Sequence, residues 1–197
     1  MKHLNFLSNK HFREIAVLCL LFSLCIGNAW GSSTASITMQ SVVSTNSYTV
    51  SEGNTIGTKC LSIDLDANIN ISVNSSGNNG TFWGTGAAIN WRGYQNQSGT
   101  FTLTAGSGCT LESVTFTFTV SNSGTLNTYG NGYPIAEQYR LTSGTALSIS
   151  GTSKEFYVGN TLSTGDNKTK GQVRITAISV TYSTSGGTTY TVVFLMH

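Results

Sequence analysis

Apolar and polar residues alternate in short runs along most of the chain after residue 31. Leu61, Ile63 and Leu65 alternate without a break, as do Ile69, Ile71 and Val73. Phe101 and Leu103 form a brief run, and Val114, Phe116, Phe118 and Val120 form the cleanest one. A period of two places every second side chain on one face, which predicts half-buried strands. Ile37, Met39 and Val43 open the pattern more loosely, and Tyr48 and Val50 continue it. Leu147 and Ile149, then Phe156 and Val158, flank Ser150-Gly151-Thr152-Ser153, which reads as a hairpin turn. Val173 and Ile175 share one face, and Ile178, Val180 and Tyr182 resume it after a spacing of three, which predicts a β-bulge at Thr176-Ala177. Clusters of Gly, Asn and Ser at 74–80, 121–132 and 163–171 separate the runs. No stretch after residue 31 keeps a helical period for three turns.

Many short antiparallel strands with one apolar face predict an all-β fold, an antiparallel β-sandwich of jelly-roll type. The expected core is Ile63, Ile71, Phe101, Leu103, Phe116, Phe118, Ile149, Phe156, Val158, Val173, Ile175 and Val180. The sandwich domain is expected over 32–184. Ser183-Thr184-Ser185-Gly186-Gly187 reads as a flexible linker, and 185–197 as linker plus a terminal strand. That strand is either the start of a truncated repeat or a last strand on the sandwich edge.

The front of the chain follows a different pattern. Lys2, Lys10 and Arg13 precede twelve residues, 15–26, in which Ser23 is the one polar side chain, and small residues follow at Ala29 and Gly31. A bilayer span takes about 20 residues. The basic, apolar and small-residue order predicts a signal-peptide helix over 1–31, cleaved after Gly31. The other reading is an uncleaved N-terminal anchor. The expected location is therefore exported, secreted or at the cell surface, with no membrane association after cleavage.

Composition narrows the function classes. Only 9% of the 197 residues are charged, while Ser numbers 26 and Thr 29. Residues 32–197 hold seven basic and seven acidic side chains, because Lys2, Lys10, Arg13 and Glu14 belong to the leader. Such balance predicts no nucleic-acid partner. The histidines are His3, His11 and His197, so the body of the chain has no residue for a Ser-His-Asp triad, a His general base or a His-rich zinc site.

Four groups of residues remain as chemical candidates. Phe82, Trp83, Trp91, Arg92 and Tyr94 cluster in Gly- and Asn-rich sequence. Rings stack on the apolar faces of sugars while Arg, Asn and Gln take hydroxyls, so the composition suits a carbohydrate; alternatively Trp83 and Trp91 cap the core. Tyr129, Tyr133 and Tyr139 make a second cluster around Pro134. Asp64, Asp66, Asn68 and Asn70 recur at spacing two and would share a face if the strand is continuous. Oxygen ligands suit Ca²⁺, though a calcium loop's Gly and distal Glu are missing; the plainer reading is the wet face of an amphipathic strand. The same carboxylates as a glycosidase pair would need a cleft. Cys60 and Cys109 either form a disulfide in an oxidising compartment or are two separate buried thiols.

A family resemblance adds to this. Residues 82–89, Phe-Trp-Gly-Thr-Gly-Ala-Ala-Ile, residues 111–118, Leu-Glu-Ser-Val-Thr-Phe-Thr-Phe, and residues 171–182, Gly-Gln-Val-Arg-Ile-Thr-Ala-Ile-Ser-Val-Thr-Tyr, resemble in that order parts of a module in large secreted proteins of Bacteroidales-type bacteria. The closing motif, of the type G-Q-x-R-I-x-x-I-x-V-T-Y, matches throughout. Such modules are usually appended to enzymes or surface proteins. The resemblance implies a non-catalytic accessory domain and identifies no binding residues; separately from it, no cofactor is expected. Three functions are carried forward: an accessory module holding a glycan or surface partner, a structural spacer with no ligand, and a hydrolase as the least supported.

Overall fold

The computed structural model describes residues 31–45, 47–130 and 133–185. Apart from Gly31, the signal-peptide reading lies outside the described residues, and so does the terminal strand expected within 185–197. Among the described residues no helix is long and apolar enough to cross a membrane.

The chain folds as predicted into antiparallel strands in two sheets. In order they are β1 (Gly31–Thr38), β2 (Val50–Glu52), β3 (Cys60–Asp64), β4 (Ile69–Val73), β5 (Phe82–Trp83), β6 (Asn90–Tyr94), β7 (Thr100–Ala105), β8 (Cys109–Ser121), β9 (Gly124–Asn127), β10 (Ala146–Ser148), β11 (Ser153–Asn160) and β12 (Gln172–Thr184). One sheet runs β10-β8-β12-β6-β5, with β1 also paired to β12; the other runs β2-β3-β4-β7-β11-β9. The compact unit is Ser32–Thr184.

The apolar positions of both sheets meet in one core. Trp91 packs on Phe101 with ring centroids 5.1 Å apart, and Phe116 meets Phe156 edge-on at 4.8 Å, each pair joining one sheet to the other. Ten of the twelve expected core residues are buried; Phe118 and Ile149 are half-buried at its margin. The core also takes Phe82, Trp91, Met39 and Val42. Gly93 lets β6 approach the second sheet, since a Cβ there would lie 2.7 Å from Phe101 and 2.8 Å from Val158.

Two local expectations are corrected. The loose alternation through Ile37, Met39 and Val43 is not one strand. β1 stops at Thr38, which opens a short helix, α1 (Met39–Ser44). The Thr38 hydroxyl accepts the Ser41 N–H at 3.1 Å and the Ser41 hydroxyl accepts the Thr38 N–H at 3.3 Å, a reciprocal cap that turns the backbone. Likewise, Ser150-Gly151-Thr152-Ser153 is not a hairpin. β10 pairs with β8 and β11 with β7, so the turn carries the chain between sheets. The Gly151 carbonyl accepts from Leu111 N–H and the Thr152 carbonyl from Ala105 N–H, both at 2.8 Å, one bond to each sheet. Alternation sets which face is buried but not which strand takes the hydrogen bonds.

The bulge falls where the spacing places it. β12 pairs with β8 along its length, and the register shifts between Ile175 and Ala177. The Thr176 hydroxyl donates to the Thr117 carbonyl at 3.1 Å across the shift. Phe116→Ala is expected to cost about 3–5 kcal/mol in urea melts, as for an emptied core aromatic. Phe118→Ala should cost distinctly less, and exposed Thr117→Ala under about 0.5 kcal/mol; equal losses at all three would mean that β8 is buried on both faces.

Candidate functional site

The aromatic cluster divides between the two faces of one sheet. β5 pairs with β6 so that Phe82 opposes Trp91 and Trp83 opposes Asn90. Directly opposed residues of antiparallel strands share a face. Phe82 and Trp91 therefore point inward and are fully buried, and the Trp91 indole N–H donates to the Cys60 carbonyl at 2.9 Å. Trp83 points outward and is 43% exposed. Trp83 and Trp91 thus do not form a joint platform: Trp91 is core, and Trp83 alone offers a ring to solvent. The turn between β5 and β6 depends on Gly84, whose φ of +104° and contact with the Ala88 carbonyl (2.4 Å from a hypothetical Cβ) leave no room for a side chain.

Period two carries the outer face along β6 through Asn90, Arg92 and Tyr94. The Arg92 guanidinium lies over the Trp83 ring, 5.1 Å from its centroid, and its Nε donates to Asn90 Oδ1 at 2.9 Å. Across the strand pair, Arg174 opposes Arg92 and Gln172 opposes Tyr94. Arg174 Nε donates to Gln172 Oε1 at 2.8 Å, repeating the arrangement on β12. The strip is anchored from behind by Asn79, which is fully buried. Its amide donates to Asn74 Oδ1 and the Gln97 carbonyl, and its oxygen accepts the Tyr94 N–H at 2.8 Å. Gln95 exchanges bonds with Gly171 at 2.8 and 3.1 Å, fixing the start of β12 beside the end of β6.

The same sheet face continues toward β1 as a carpet of hydroxyls. Arg174 opposes Thr119 on β8, and Ala177 opposes Thr117, one same-face step or roughly 7 Å further along. There an open groove of about 420 Å³ is lined by hydroxyls of Ser36, Tyr48, Thr115, Thr117 and Ser179 and by the apolar Ile37, Ala177 and Ile178. Ser36 and Ser179 share a 2.7 Å hydroxyl bond across its floor. A ring, two guanidinium groups, amides and hydroxyls on one sheet face can hold a polar ligand that also has an apolar side.

Asp64, Asp66, Asn68 and Asn70 do not lie along one continuous strand. β3 ends at Asp64, β4 begins at Ile69, and the residues between form the turn. Asp66 Oδ1 accepts the N–H groups of Asn68 and Ile69 at 2.7 and 2.8 Å, and Oδ2 accepts the Tyr182 hydroxyl at 2.7 Å. Asn70 donates to Asp64 Oδ1 at 2.7 Å. These oxygens hold the turn together, and among the described residues no group of three His, Cys, Asp or Glu is placed to hold a metal ion.

Cys60 and Cys109 are both buried free thiols, which corrects the disulfide alternative. They sit at opposite ends of the fold. Cys60 begins β3, its N–H bonded to the Gly80 carbonyl, whereas Cys109 follows Gly106, which bonds to Asn68 beyond the far end of β3. Burial pushes the Cys60 thiol up to about 11 from an ordinary value of 9.0. In the second cluster Tyr129 meets Tyr139 edge-on at 5.5 Å, with the Lys154 ammonium 4.4 Å from the Tyr129 ring centroid.

Arg174 and Gln172 are not among the sequence candidates because they come close to the aromatic cluster only through strand pairing, whereas Asn90 adjoins Trp91 in the chain and is set opposite Trp83 by the β5–β6 register. The available signal was the polar face of the 171–182 strand, where Gln172 and Arg174 alternate with Val173 and Ile175. Compared with known proteins, the chain matches no family model, no curated protein and no solved structure.

In native buffer neither thiol should react with a disulfide exchange reagent, and both should react after unfolding; a mass shift on reduction would contradict this. Because burial raises the Cys60 pKa in the folded state, its contribution to stability is complete below pH 9 and is lost as pH rises toward 11. Asp66→Ala should lower stability by about 1–3 kcal/mol through the lost turn and Tyr182 bonds. Calcium should leave the wild-type melting temperature unchanged, and a saturable rise would restore the metal reading.

Proposed function

We propose that the protein is an exported or surface-displayed, non-catalytic accessory module that holds a glycan on the outer face of the β6–β12 strand pair. The observation that carries this reading is Trp83, a large exposed ring with Arg92 over it on a hydroxyl-rich sheet face. A sugar's apolar face stacks on such a ring while its hydroxyls meet amide and hydroxyl groups at the rim. The ordered leader pattern of residues 1–31 supports export, and the likeness of residues 171–182 to the closing strand of the bacterial module supports an accessory role. The jelly-roll reading of the connectivity has support in the chain's path, which changes sheet at each step from β6 to β12.

A glycan array followed by affinity electrophoresis tests the proposal. Wild-type protein should bind at least one polysaccharide, and Trp83→Ala should weaken that binding tenfold or more, about 1.4 kcal/mol, while melting near wild type. Trp91→Ala is not an informative site variant, since it should destabilise the fold by about 3–5 kcal/mol. Failure of the wild type to bind any glycan would overturn the proposal and favour a structural spacer.

A further inference from the structure

We infer that this face selects a polysaccharide bearing anionic groups, carboxylate or sulfate, gripped by Arg92 and Arg174. The inference rests on the glycan reading and adds the charge of the ligand. Arg92 and Arg174 are directly opposed across β6 and β12. Like charges at such positions, with Cβ atoms about 4.5–5.5 Å apart, destabilise a strand pair. The arrangement is costly for the fold alone and favourable once an anion sits between the two groups.

The hydrogen bonds around the pair point the same way. Each Nε is held by a neutral amide oxygen two residues earlier, Asn90 for Arg92 and Gln172 for Arg174. An amide orients a guanidinium without neutralising it, and binding through Nε leaves both η nitrogens of each fork for another partner. Among the described residues neither group has a carboxylate beside it. The third arginine after residue 31 behaves differently. Arg140 donates from Nε and Nη2 to the Ile135 carbonyl at 3.1 and 2.6 Å, a structural tie. Two of the three arginines after residue 31 are thus oriented and side by side, in a stretch whose seven basic and seven acidic side chains, these two included, balance. A planar fork matches the paired oxygens of a carboxylate or sulfate group. Trp83 beneath Arg92 supplies a surface for the ring that carries that group.

The test is affinity electrophoresis and calorimetry at 150 mM salt with polygalacturonate, chondroitin sulfate and a neutral glucan. Wild type should bind at least one acidic polymer tenfold or more tightly than the glucan. Arg174→Gln and Arg92→Gln should each lower that affinity at least tenfold. Arg174→Lys should recover only part of the loss, because the charge returns without the fork. Lys168→Gln removes the same charge from an exposed position and should leave binding unchanged. Melting curves confirm that each variant is folded. Acidic-polymer affinity unaffected by both arginine variants, or equal binding of single-stranded DNA, would overturn the inference. Neutral glucan binding that depends on Trp83 but not on either arginine would overturn it and leave the glycan reading standing. No binding to any polysaccharide would overturn both.

Discussion

Ile175 and Ile178 both point into the core although three positions separate them, and the extra residue that makes this compatible with a strand is the point on which β12 turns. A regular strand alternates without interruption, so a shift of one residue would send every later side chain to the other face. The bulge absorbs that residue. Before it, Val173 and Ile175 face inward beside β6; after it, Ile178 and Val180 face inward beside β8 and β1. The same shift keeps Gln172, Arg174 and Ser179 on the outer face, so the apolar core and the candidate site share one backbone irregularity. β8 runs opposite β12, with its own register shift further along where Glu112 is skipped between Leu111 and Ser113, and its Phe116 locks against Phe156 of the other sheet.

Polar organisation in this protein is carried by amides more than by charges. Fully buried Asn79 fastens the 74–80 loop and the 97 region to Tyr94. Fully buried Asn160 ties 122, 162 and 167 together through its own amide and oxygen. An amide both donates and accepts, so it satisfies loop backbone at a far smaller desolvation cost than a buried ion. In that setting a charge that lacks a structural duty is conspicuous. Arg140 and Asp66 have such duties, to a carbonyl and to a turn. Arg92 and Arg174, both half-buried, are steadied by amides on the outer face, and the proposed recognition of an anion rests on them.

Alternation alone determined the all-β class, most of the core and the position of the bulge, because period two is a local property of the chain and burial of one face follows from it. It was equally informative for Phe116 against Thr117. It failed where local chemistry competed, as at Thr38, whose reciprocal cap with Ser41 ends β1 and starts α1. It failed again at 64–70, where Asp66 satisfies the N–H groups of a turn and breaks the expected continuous face.

What the tertiary structure alone decided is which distant residues meet. Trp83 and Trp91 look equivalent in the sequence, yet pairing across the Gly84 turn sends one outward and the other into the core. Cys60 and Cys109 each open a strand, but the two strands belong to different sheets and present their cysteines at opposite ends. Arg92 and Arg174 are more than eighty positions apart, and only the register of β6 on β12 sets them face to face. Hydrogen-bond partners and strand order are long-range choices made by the packing of the whole chain, whereas the inward or outward direction of a side chain is already written in its neighbours.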